Sequence, residues 1–281
     1  MEENKKHYRN YQDGSNSITN IDVVKDQYCK ARMYQSVEYV ERMHQKYFTF
    51  NNILSFDEII ENLSKYIDLS DPDINLPNMY HLFQTADGLR RDNKPKWMEF
   101  VGFIHDMGKI IHLWGCDEDG TSMTEQWGTV GDTFLVGCPK PDTLVYPEFN
   151  ELSPEKCYNE DEDVLSNTYG IYQKHCGLDN CIVSFGHDEY MYKILRCNGC
   201  IIPEEGYYII RFHSMYCYHS GEAYICLMNE KDKEMLPFVQ EFQKYDLYTK
   251  QNIEMPIEDL IDRYREMWLE FSQRCGDKYD E

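Results

Sequence analysis

Residues 96–113 read KWMEFVGFIHDMGKIIHL, and the reading of this stretch decides the fold. Trp97, Val101, Ile104 and Gly108 recur at helical spacing, which predicts a helix over 96–113 with one buried side. His105 and Asp106 stand beside that stripe, where apolar side chains are called for. Lys109 follows one turn later, three residues from Asp106 and four from His105, so all three project from one helix face. A carboxylate on a core-facing position is costly unless it is paired or bound to a metal.

The same anomaly recurs along the chain. Helices are predicted at 78–92, 186–198, 204–219, 231–248 and 257–274. His81 sits in the first of these, one turn before Thr85, and His187 opens the second. Ile209 and Ile210 are followed on their face by His213, and the stripe Met235, Phe238, Val239, Phe242 runs into Asp246. Each histidine alone has a bland explanation as a hydrogen-bonded core residue. Several helices that each turn an N or O ligand inward make a pattern that metal-binding bundles share. Four imidazoles and two carboxylates, with no required thiolate, suit iron, manganese or zinc.

Towards the N-terminus, Val23, Tyr28, Ala31, Val37, Val40, Met43 and Tyr47 predict one long helix over 22–48, preceded by an irregular arm at 1–21. Ser55 and Glu58 form a capping box for a helix to about residue 67, and 68–73 reads as a loop. Residues 114–183 break the pattern; they predict loops with one or two short strands, such as Phe134-Leu135-Val136. Asp117-Glu118-Asp119-Gly120 reads as a solvated surface loop. With no repeat or dividing linker, the expected fold is mostly α, a single helical catalytic domain over 22–281 behind the arm.

Composition narrows the function. The 281 residues carry 28 Lys and Arg against 50 Asp and Glu, a formal charge of −22. Such a surface repels nucleic acid and anionic membrane, so neither is an expected partner. No apolar run approaches a signal sequence or a membrane span. The 11 scattered cysteines suit free thiols in a reducing cytoplasm. A small, uncharged substrate fits best.

His81, then His105-Asp106, then Asp246 resembles the H…HD…D signature of the HD-domain superfamily. Within it, the chain is similar over nearly its whole length to the myo-inositol oxygenase family. Tyr8-Arg9-Asn10-Tyr11, Phe83-Gln84-Thr85-Ala86, Ile104 to Lys109, and Val130-Gly131-Asp132-Thr133-Phe134 carry the likeness. So do Gly186 to Tyr192, Arg211-Phe212-His213-Ser214, and the run from Phe242 to Lys250. The chain departs from the family in a longer, more acidic piece at 116–125, a shorter arm, and the middle residue of Asp68-Leu69-Ser70.

The resemblance implies an HD-domain-like helical bundle holding two iron ions, active in the mixed-valent Fe(II)/Fe(III) form. His81, His105, Asp106 and Asp246 would hold one iron, and Asp106 would bridge to a second held by His187 and His213. Arg9, Asp68, Leu69, Ser70, Gly131, Asp132, His213, Ser214 and Lys250 match positions around a polyol, with the Arg9 arm as part of a lid. Lys109 matches a lysine that contacts a substrate hydroxyl, and two nearby cations are expected to push its pKa down. The implied reaction turns myo-inositol and dioxygen into D-glucuronate and water, without an organic cofactor, in a protein expected to be monomeric.

Two other readings compete. A binuclear HD-type phosphohydrolase shares the H…HD…D core but needs several cations converging on phosphate, and Lys109, Lys250 and Arg9 are those near the motifs. A zinc-binding scaffold could use Cys197 and Cys200 with Cys176 and Cys181. Asp188, beside His187, reads as a first-turn helix charge without a ligand role. His7, His44, His112, His175 and His219 have no matching role, and the 23 tyrosines read as core edges.

Overall fold

Two of the predicted helices end at the histidines that mark them, and these interruptions shape the bundle. The computed structural model describes residues 20–73, 75–155, 169–249, 251, 254 and 256–272. Among them the helices are α1 (Ile21–Tyr34), α2 (Val37–Tyr47), α3 (Phe56–Leu63), α4 (Asn78–Arg91) and α5 (Lys96–Ile104). After a long middle segment follow α6 (His187–Asn198), α7 (Glu204–Phe212), α8 (Tyr216–His219), α9 (Glu230–Tyr248) and α10 (Glu258–Ser272). The mostly α expectation holds. The arm at 1–19 lies outside the described residues, as do Arg9 and Lys250.

The helix expected over 22–48 is two helices. Ser36 is extended at φ −135° and its hydroxyl accepts the Tyr39 N–H, so it caps α2 and breaks the run. The apolar stripe continues across the break, which hid it from periodicity. Gln35, buried at the junction, donates to the Phe185 carbonyl and accepts the Phe185 N–H, both at 2.7 Å, pinning the segment that leads into α6. The capping box at Ser55 and Glu58 forms as expected, although α3 stops at Leu63.

The middle region carries no named strand among the described residues. Leu135 and Val183 make an isolated antiparallel bridge. The pairing goes no further because side-chain hydroxyls compete for the backbone: Ser184 accepts the Phe134 N–H and Tyr224 that of Leu135. Asp119 is also unlike its expected solvated form. It is buried, bound to Lys46 and to the Tyr47 hydroxyl at 2.9 Å.

One large apolar cluster runs from α1 to α10, built around fully buried Leu82, Phe83, Phe103, Ile209, Phe212, Val239 and Phe242. The α4–α5 pair packs most extensively, and α9 lies across α4, α5 and α7. His81 and Asp246 lie on α4 and α9, His105-Asp106 and His213 follow the ends of α5 and α7, and His187 opens α6. No helix among the described residues is long and apolar enough to cross a membrane.

Candidate metal centre

The helix predicted over 96–113 ends at Ile104, and a 3₁₀ segment runs from Met107 to Leu113. His105 occupies the C-cap, where backbone carbonyls lack helical partners, and its Nδ1 lies 2.8 Å from the Gly102 carbonyl. α7 ends in the same way. His213 is its C-cap, and its Nδ1 lies 2.9 Å from the Ile210 carbonyl. His187 opens α6, with its backbone N–H and its Nδ1 both on the Thr129 carbonyl. In all three rings this leaves the proton on Nδ1 and a lone pair on Nε2. These three candidate ligands therefore come from helix ends, where imidazole and backbone satisfy each other, whereas His81 and Asp246 lie within α4 and α9.

Gly108 allows these ends to meet. A Cβ there would stand 2.1 Å from the His187 carbonyl oxygen, so only glycine lets the 3₁₀ segment press against the start of α6.

The resulting cluster has two halves that share one carboxylate. On one side, His81 Nε2 lies 2.9 Å from Asp246 Oδ1 and 3.1 Å from His105 Nε2. Asp106 turns Oδ2 towards this side, 3.7 Å from both rings. On the other side, Asp106 Oδ1 lies 2.9 Å from His187 Nε2 and 3.5 Å from His213 Nε2. The groups His81, His105, Asp106 and Asp106, His187, His213 are each compact enough to hold a metal ion. All six candidate ligands are buried.

Electrostatics demand positive charge here. His187 Nε2 faces His213 Nε2 at 3.2 Å, lone pair to lone pair if both Nδ1 protons stay on their carbonyls. A cation must relieve that opposition, either an added proton or a shared metal ion. Burial opposes a charged His187, yet Asp188 and Asp106 outweigh it and raise its pKa to about 10. His213 shifts upward for the same reasons. Burial would also raise Asp106, but Lys109, His105 and the facing imidazoles hold it well below the usual carboxylate range. The donor set fits a pair of iron, manganese or zinc ions.

Lys109 Nζ donates to Asp106 Oδ2 at 2.7 Å, Asp68 Oδ2 at 2.7 Å and Asn78 Oδ1 at 3.0 Å. Burial disfavours its charge, but the two carboxylates prevail and raise its pKa. The expected downward shift presupposes two bound cations; the protein groups by themselves pull the other way, because two carboxylates contact Nζ.

A polar cavity opens beside the cluster. Lys109, Asp68, Ser70, Gly131, His213 and Ser214 line it with His81, Asp106, His187 and Asp246. His105 stands behind this wall. Leu69 and Asp132 are absent from the lining: the Leu69 N–H goes to Gln126, and Asp132 Oδ2 accepts the Val145 N–H at 2.9 Å.

Sequence reasoning passed over Tyr28, Asp71 and Tyr216, which also line the cavity. Asp188 sits in the first turn of α6 and outside both ligand groups, as read, but it does more than meet the helix dipole. That carboxylate is fully buried, with Oδ1 2.9 Å from His187 Nε2 and Oδ2 accepting the Ser214 N–H. Its place directly after an inward-facing histidine was the available signal. His219 behaves as read: burial holds its pKa down to about 4, and its neutral ring meets the His213 carbonyl. His112 lies tilted against the Tyr66 ring, with Nδ1 on the Lys109 carbonyl.

The four-thiolate set of the competing scaffold reading does not assemble. Cys197 is exposed and the Cys200 thiol meets the Phe271 carbonyl, while Cys176 and Cys181 lie together elsewhere. Neither compact ligand group contains a cysteine among the described residues.

Comparison with known proteins agrees with this architecture. The family model described as myo-inositol oxygenase matches residues 21–275. Relatives named inositol oxygenase include a Danio rerio protein, 40% identical across 94% of this chain and 92% of its own length. One from Mus musculus is 37% identical across 94% of this chain and 90% of its own. One from Dictyostelium discoideum is 36% identical across 92% and 86%. With the match running from the first helix past the last, the chain belongs to the myo-inositol oxygenase family.

Proposed function

We propose that this chain is a di-iron oxygenase that opens the ring of myo-inositol with dioxygen, giving D-glucuronate and water. One observation carries the metal half of the reading: Asp106 offers its two oxygens to two separate histidine groups. On this reading His81, His105, Asp106 and Asp246 hold one iron, and Asp106, His187 and His213 hold the other. A mixed-valent iron pair bound there supplies Lewis acidity for an alcohol and electrons for dioxygen.

The protein's own part is to bind, orient and move protons. Asp68, Ser70, Asp71 and Ser214 give the cavity alternating acceptors and hydroxyls, suited to a ring of alcohols. The Asp68 carboxylate is fixed by the Ser70 N–H and hydroxyl, so its Oδ2 is aimed at Lys109. Lys109 carries a proton at Nζ beside the metal ligands and can pass it to a substrate oxygen. Arg9, on the arm at 1–21, and Lys250 would complete the polyol contacts from outside the described residues. Leu69 and Asp132 stay among the proposed polyol positions, beside Ser70 and Gly131 in the cavity wall, and a cytoplasmic monomer is the working form.

A phosphohydrolase is disfavoured by charge. Among the described residues lining the cavity, Asp68, Asp71, Asp106 and Asp246 face a single lysine that two of them already hold. A phosphate ester would find no further lysine or arginine among these lining residues.

Aerobic turnover of the iron-loaded, reduced protein tests the proposal. Oxygen uptake matched by glucuronate is expected with myo-inositol. No uptake with inositol, or phosphate released from nucleotides instead, overturns it.

A further inference from the structure

Outside the metal centre, the Cys176 and Cys181 sulfurs face each other at 3.7 Å. Their contact is built by a tight loop. Gly177 has φ +88°, and a Cβ there would stand 2.1 Å from the Asn229 side chain, so the chain can turn here only at glycine. The 3₁₀ turn Leu178–Asn180 then brings Cys181 back over Cys176, with Asn180 Nδ2 on the Cys176 carbonyl at 2.8 Å. Both thiols lie 3.6 Å from the Gly177 carbonyl oxygen. The loop is anchored on two sides. Leu178 N–H meets Asp232 in the first turn of α9, and Asp179 binds Arg211 of α7 and Lys231.

We propose that Cys176 and Cys181 form a redox modification site, a dithiol that low-molecular-weight disulfides such as glutathione disulfide convert to an intrachain disulfide. Neighbouring sulfurs need close only from van der Waals contact to a bond of about 2.05 Å, across a loop already folded back on itself. The exposures assign the roles. Cys176 is partly exposed and meets the oxidant; Cys181 is 4% exposed and resolves. Burial, then the adjacent Cys176 sulfur, keeps the Cys181 thiol protonated in the reduced form.

The exchange balances. Cys176 thiolate attacks one sulfur of glutathione disulfide, whose S–S bond breaks and releases one glutathione thiolate. Cys181, losing its proton, attacks the Cys176 sulfur and expels the second glutathione. Two protein thiols are oxidised, one external disulfide is reduced, and both cysteine protons end on glutathione.

Peptide mapping by mass spectrometry tests the site on the full-length, metal-loaded protein. The protein is equilibrated in glutathione mixtures of graded ratio, acid-quenched, alkylated and digested. The expected result is loss of two hydrogens from the peptide holding Cys176 and Cys181, while fully buried Cys217 stays alkylatable only after unfolding. Cys181→Ser should trap glutathione on Cys176, and Cys176→Ser should leave Cys181 reduced. Both thiols remaining reduced in fully oxidised glutathione, a lasting mixed disulfide on wild-type Cys176, or a link to Cys138 or Cys226 overturns the proposal. If either variant fails to fold, the wild-type map alone decides.

Discussion

Lys109 donates to Asp106, Asp68 and Asn78, so a substrate oxygen can reach its amine only by displacing one of them. Asp68 is the replaceable partner, because Ser70 already satisfies its other oxygen. Lys109→Met is expected to keep both metals while turnover falls by about 10²–10⁴-fold, the range for a positioned proton donor. It also strands buried carboxylate, costing up to about 3–5 kcal/mol. Lys109→Met with Asp68→Asn should regain much of that stability and none of the turnover. Denaturant melts and oxygen uptake on the same preparations check both halves. Asp188 was legible as an acid in a first turn and not as a buried group, because burial there depends on α7 ending at Phe212 beside it. Asp106→Ala is expected to abolish the paired centre. Asp188→Ala should weaken metal retention about 10–100-fold, the usual effect of removing a group that orients ligands. Metal analysis after graded chelation separates the two; wild-type retention in Asp188→Ala would return it to the role of a helix charge.

At the scale of elements, the apolar stripes showed which faces are buried and hid where helices stop. The stripe through Val101 and Ile104 continues in register past His105, so only the histidine's bond to the Gly102 carbonyl marks the end. The clustered candidate ligands were readable because histidine and aspartate interrupt those stripes; the cavity wall at Tyr28, Asp71 and Tyr216 was not, since it depends on how separate elements meet. Gly108→Ala tests one such meeting. Its methyl would collide with the His187 backbone, so α6 must shift, with a loss of about 1–3 kcal/mol and impaired pairing of the two halves. Thermal melts and metal content measure this. The acidic piece at 116–125 is tied to α2 by Asp119. Burial would raise that carboxyl, but Lys46 and the Tyr47 hydroxyl hold its pKa below the usual value. A lowered folded pKa means that its stabilisation is full above the unfolded value of about 3.9 and fades as pH falls through the folded one. Asp119→Asn should therefore lose stability near neutral pH, by under about 1 kcal/mol because Lys46 is half exposed. The gap from wild type should close in acid. Denaturation of the metal-free proteins over pH checks the sign.

For the whole molecule, the candidate ligands give a chain of net charge −22 one interior point suited to a cation. α4, α5, α6, α7 and α9 each bring donors to the same place, and the core of Phe83, Phe103, Phe212 and Phe242 holds them there. Composition indicated a small uncharged substrate, and the cavity's carboxylates and hydroxyls agree with that reading. The most direct test is electron paramagnetic resonance of the protein loaded anaerobically with iron and partly oxidised, with and without myo-inositol. The expected result is two irons per chain and a signal of a coupled mixed-valent pair that changes when inositol is added. One iron per chain, or a paired signal indifferent to inositol, would contradict the account.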